Sequence, residues 1–122
     1  MGKLAITKYK AEIGECPFDT FIEQLRKDGK LKEIKKIQHH ILMLEEFGFS
    51  LPGINDTAKR LEGNIYELRP MPNRVLYYYC DKNGKYVLFT YLKKDSPKTP
   101  REEIEKAKRE VSDYERMNRN GK

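Results

Sequence analysis

The residues whose types and spacing could do chemistry are cations placed where strands begin and end. Arg69 closes one extended segment and Arg74 opens the next, with Pro70 to Asn73 turning between them. Two guanidiniums held that close by a sheet can clamp one phosphodiester, because each presents a planar fork of N–H donors. Lys93 and Lys94 end a later segment, and Lys98 follows in the connection to a final helix. In an antiparallel meander the end of one strand adjoins the start of the next. All five cations are therefore expected at one edge of the sheet, as a positive concave patch that would attract a phosphate backbone. The competing reading is that Lys and Arg at strand ends simply keep sheet edges soluble.

Other catalytic patterns lack support. The chain holds no GxSxG, Walker loop, HExxH or cysteine cluster, the signatures of hydrolase, nucleotide and zinc chemistry. His39 and His40 are adjacent, so on a helix they point about 100° apart and cannot grip one metal in the i, i+4 manner. His40 falls at the rim of an apolar stripe and His39 toward water. Cys16 and Cys80 are far apart in sequence and read as reduced structural thiols. Alternation puts Tyr77 and Tyr79 on one strand face and Tyr78 on the other, as packing residues. Tyr91, beside Lys93, could instead stack on a base.

These side chains need a scaffold, and the hydrophobic pattern supplies one. Leu4 and Ile6 alternate with polar neighbours in a first strand over about 3–10. Pro17 opens a short helix with the stripe Phe18, Phe21, Ile22 and Leu25, which Asp28-Gly29 breaks. Leu31, Ile34, Ile37, Ile41 and Leu44 mark a longer helix over about 30–47, stopped by Gly48. Leu51-Pro52-Gly53 and Asn55-Asp56 read as a loop. Residues 64–70, 74–80 and 85–92 are aromatic and β-branched, with Asn83-Gly84 as a hairpin turn. Thr99-Pro100-Arg101-Glu102 has the form of a capping box with Thr99 as cap, ahead of a helix carrying Ile104, Ala107, Val111 and Tyr114. The expectation is one α+β domain over 1–122: a small, mainly antiparallel sheet, an N-terminal helix pair on one face, and a C-terminal helix.

Charged residues are 36% of the 122 and the balance is Lys+Arg 25 against Asp+Glu 19, a net charge of +6. That excess favours polyanionic partners, RNA above all. The beginning, MGKLAITKYK, has no long apolar stretch, and no run approaches the roughly 20 apolar residues of a membrane span. A cytoplasmic protein without membrane partners is expected.

The run LEGNIYELRP, NRVLYYY and YVLFTYLKKDSPKTPREEIEKAKRE resembles the phage-derived, HigB-like branch of the RelE/ParE superfamily of toxins from type II toxin–antitoxin systems. The matching pieces are Leu61 to Gly63, Tyr66 to Arg69, Arg74 to Tyr77 and Lys93 to Pro100, within a likeness covering about residues 16–115. The resemblance implies a RelE-like fold. It also implies a cofactor-free, metal-independent mRNA interferase that works on the ribosome and is neutralised by a helix-turn-helix antitoxin, reaching operator DNA only through that antitoxin. By position, Arg74 matches the arginine that contacts the scissile phosphate in such enzymes. Arg69 matches a basic position on the preceding strand, and Lys94 one after the last strand. Lys93, Lys98, Lys59 and Arg60 are taken as RNA-binding. Better-studied RelE-type enzymes carry lysines where this chain has Glu67, which stands as a candidate general base or as the salt-bridge partner of a nearby arginine. The tail histidine of some HigB enzymes is missing from residues 111–122, leaving Tyr91 and Lys94 as candidate proton donors. A gyrase-binding ParE-like toxin and a non-catalytic antitoxin-binding or co-repressor protein are the alternatives within the same fold.

Overall fold

The structure, a computed structural model, describes residues 5–11, 14–80, 84–93 and 99–121, with side chains up to residue 89 and from 99 to 117. Pro17 sits in the first turn of helix α1 (Pro17–Lys27), where its missing N–H costs nothing. The α1 stripe buries Phe18, Phe21 and Leu25. Helix α2 (Leu31–Phe47) buries Ile34, Ile37 and Leu44 and ends at Gly48, whose φ of 51° only glycine adopts readily. The segment read as a loop after it begins with a 3-10 helix, Gly48–Gly53, that seals Leu51 into the core.

Five strands form one sheet in the order β1-β5-β4-β3-β2. They are β1 (Ala5–Lys8), β2 (Ala58–Glu62), β3 (Ile65–Leu68), β4 (Asn73–Cys80) and β5 (Lys85–Lys93). Strands β2 to β5 pair antiparallel, and β1 joins β5 in parallel. Strand β2 was not expected from the sequence. It is a short edge strand with exposed Lys59 and Arg60 and a register shift between Arg60 and Glu62. Asn83 of the expected hairpin turn lies outside the described residues, but Gly84 adopts the positive φ such a turn demands.

The pleat divides the sheet into two packed faces. Leu68, Val75, Tyr77, Tyr86 and Leu88 meet the α1–α2 pair in the main core. Ile65, Leu76, Tyr78, Val87 and Phe89 face the other way, against Ala107, Val111, Tyr114 and Met117 of α3 (Arg101–Gly121) and against Tyr9. Each fully buried large apolar side chain contributes roughly 1.5–3 kcal/mol. The tyrosines therefore divide as the alternation requires. Tyr77 and Tyr86 lie under the helix pair, and Tyr78 donates to Glu115 of α3.

The histidines are ordinary. His40 is half-buried with Nδ1 on the Lys36 carbonyl at 3.0 Å, and burial pulls its pKa below the usual value. His39 is exposed. Cys16 is half-buried and Cys80 buried, both as free thiols.

Candidate functional site

The α3 face of the sheet carries a charge cluster at the end where β3 stops and β4 starts. Glu67 on β3 faces Leu76 on β4, and Arg74 stands diagonally across from it. Arg69, two residues beyond Glu67, emerges on the same face. The Glu67 Oε2 lies 3.4 Å from Arg74 Nη1 and 3.5 Å from Arg69 Nε. Thr99, two residues ahead of α3, donates its hydroxyl to Glu67 Oε1 and accepts from Arg74 Nη1 at 3.3 Å. Thr99 was expected to cap α3. Its hydroxyl closes the cluster instead, while the Pro100 carbonyl takes the Glu103 N–H of the first turn.

Burial separates the two arginines. The Arg74 and Glu67 side chains are 1% exposed, whereas Arg69 keeps 18%. Arg74 was expected at an open strand end. The pleat turns it inward, onto the face that α3 packs against, and Glu67 offsets a charge that would otherwise be too costly to bury. Of the expected roles for Glu67, the salt bridge is the one this geometry displays. Both of its oxygens are engaged, so accepting a proton would mean breaking these bonds.

The turn between the arginines is braced from the opposite face. Asn73 donates to Glu33 of α2 at 2.8 Å, Lys36 donates to the Met71 carbonyl at 3.1 Å, and the Asn73 N–H closes the turn on the Pro70 carbonyl. Helix α2 thus fixes where Arg69 and Arg74 begin and end their strands. Neither Asn73 nor Thr99 was singled out from sequence as a site residue.

Of the remaining candidates, Lys59 is exposed directly opposite Glu67, on the cluster's face. Arg60 is opposite Tyr66, on the helix-pair face, and donates to the Gly63 carbonyl at 2.9 Å. It does not join the cluster. Tyr91 lies opposite Val75 and Lys93 opposite Asn73, whereas Leu92 is the residue level with Arg74. The cause is a one-residue bulge in β5, between the pairs Tyr77–Leu88 and Val75–Tyr91. An unbroken register would pair Tyr91 with Arg74, and the extra residue shifts that pairing by one. Lys94 and Lys98 lie outside the described residues. Of the five cations expected together, the structure joins Arg69 and Arg74 and brings the backbone of Lys93 to the same sheet end.

Chemically, the cluster holds two permanent cations against one carboxylate and is positive overall. Arg69 is its accessible donor, and Arg74 with Glu67 forms the rigid support. Such an array stabilises negative charge developing on a bound group, because its dipoles are already oriented.

This five-stranded, mainly antiparallel sheet, with a helix pair on one face and a C-terminal helix on the other, has the RelE-like α+β architecture. The chain belongs to the family described as Phage derived protein Gp49-like (DUF891), which matches residues 20–112, a family related to RelE-type toxins. No curated protein matches the chain significantly. No helix is long and apolar enough to cross a membrane among the described residues.

Proposed function

We propose that the chain is the toxin of a type II toxin–antitoxin pair, of the HigB-like branch. In this reading one domain over 1–122 acts in the cytoplasm as a ribosome-dependent endoribonuclease on messenger RNA, without metal or cofactor. The reading is carried by the positive cluster Arg69–Glu67–Arg74, braced by α2 on one face and by Thr99 on the other, with Arg69 its more exposed cation.

In the reaction a ribose 2′-oxygen bonds to the adjacent phosphorus and the bond from phosphorus to the 5′-oxygen breaks. The 2′-OH proton goes to a base and the 5′-oxygen gains a proton, giving a 2′,3′-cyclic phosphate and a free 5′-OH. Arg69 meets the non-bridging oxygens as charge gathers on them, and Lys59 beside it holds the neighbouring backbone. Arg74 and Glu67 keep the Arg69 guanidinium in register. A helix-turn-helix antitoxin silences the toxin and carries it to operator DNA.

Burial of Arg74 favours one second reading, a non-catalytic member that keeps the fold and binds its antitoxin. Incubating the protein with a translating extract separates the readings, with gyrase supercoiling as a parallel assay. Cleaved message that stays intact with Arg69→Ala supports the interferase. Intact message with inhibited supercoiling supports a gyrase-directed toxin, and no response in either assay supports the binding-only reading.

A further inference from the structure

A cleft of about 530 Å³ opens between the β1–α1 connection, α1 and α3, away from the arginine cluster. Its walls include Tyr9 and Glu15 from the N-terminal segment, Thr20, Phe21 and Gln24 from α1, and Lys106 and Glu110 from α3. Glu110 is out of place for stability. It falls in the stripe of α3 that packs inward, between Ala107 and Tyr114, where the spacing calls for an apolar residue. Its Oε1 is buried and has no hydrogen-bond partner among the described residues. Lys106, one turn earlier, forms no ion pair with it among the described residues. The Tyr9 hydroxyl is committed elsewhere, donating to Asp113 at 2.5 Å.

A buried carboxylate oxygen without a donor normally costs about 1–3 kcal/mol or more, so a native structure that keeps one gains something else from it. A carboxylate with an unpaired oxygen on the wall of a cleft is an arrangement that receives ammonium or guanidinium groups, through charge and charge-assisted hydrogen bonds together. The volume lies within the usual range of small-ligand sites, roughly 300–1,000 Å³. We propose that this cleft is a binding site for a cationic amine or guanidinium, seated on the Glu110 carboxylate. The cation is either a free polyamine or a Lys or Arg side chain of a partner protein. Burial pushes the Glu110 carboxyl up to about 7, consistent with a charge that lacks its counter-ion.

Amide chemical shifts of the intact protein, followed during separate titrations with spermidine and with N-acetyl-arginine amide, test the site. The expected result is saturable shifts at Tyr9, Thr20, Gln24 and Glu110 with at least one probe. Affinity should fall about tenfold or more in Glu110→Gln and rise several-fold in Lys106→Ala, which removes a competing cation. The opposite signs separate a ligand site from a structural role, since loss of packing would weaken both variants. Binding of spermidine alone assigns the site to a free amine, and binding of the arginine amide assigns it to a partner's side chain. Unchanged shifts at these amides with both probes, or equal affinity in wild type and Glu110→Gln, would overturn the proposal.

Discussion

Replacing Arg74 by Ala removes a guanidinium that stands 3.4 Å from Glu67, with both side chains 1% exposed. What remains is a buried carboxylate with one arginine, at 3.5 Å, and the Thr99 hydroxyl. Breaking a buried pair this way costs about 3–5 kcal/mol, and the surviving Arg69 contact puts the expected loss near the lower figure. For a chain of this size roughly 3–6 °C of melting temperature goes with each kcal/mol, so the midpoint should fall by about 10–15 °C. Thermal and urea unfolding followed by circular dichroism read this directly. Arg69→Ala, at a more open position, should lose no more than about 1 kcal/mol. The double variant Glu67→Gln/Arg74→Met, which removes both charges at similar volume, should regain most of the loss. If Arg74→Ala melts within about 2 °C of wild type, the inward placement of Arg74 and its pairing with Glu67 are both wrong.

Three further outcomes follow from the same contacts. Thr99→Val leaves Glu67 Oε1 without its donor and should cost about 1–3 kcal/mol in urea unfolding, far more than an exposed Thr→Val change. Arg101 and Lys108 hold the Glu62 carboxyl down at about 2, so its contribution is full above the unfolded value near 4.5 and disappears as the pH falls toward 2. Urea midpoints between pH 5 and 2 should therefore decline less steeply in Glu62→Gln than in wild type. Glu110 has the opposite sign, because its folded pKa of about 7 is raised, so wild-type stability should fall as the pH rises from about 4.5 through 7. The groups facing it are Tyr9 and Glu15 from the N-terminal segment and Glu103, Lys106, Arg109 and Asp113 from α3. Melting curves of Glu110→Gln at pH 5 and pH 8 should lack that loss.

Much of the scaffold was legible because period and punctuation agreed. The α1 and α2 stripes, Gly48 as a stop, and the aromatic runs of β3 to β5 each stand where the pattern put them. Strand β2 was hidden because it is an edge strand of five residues whose outward positions are charged, so it carries little hydrophobic signal. The site was legible in its residues and less so in its geometry. Arg69 and Arg74 could be placed at one sheet end from topology alone. That Arg74 is buried depends on the face it shares with Glu67 and Thr99, and a charged residue in sequence gives no sign of a partner arriving from the neighbouring strand. The pairing of Tyr91 was hidden for a different reason. One extra residue in β5 shifts the pairing of everything beyond it by one, and a short bulge leaves no composition signal. Thr99 fits a cap and a cluster ligand equally well, since both uses call for the same hydroxyl ahead of a helix.

The central claim is tested most directly by mapping message ends in a translating extract, with wild-type protein beside Arg69→Ala. Cleavage by wild type should yield fragments with 5′-OH and 2′,3′-cyclic phosphate ends. Removing the accessible charge-stabilising donor should cut the rate by about 10²–10³ while the fold is retained. Intact message with well-folded wild-type protein, or equal cleavage by folded Arg69→Ala, would contradict the account.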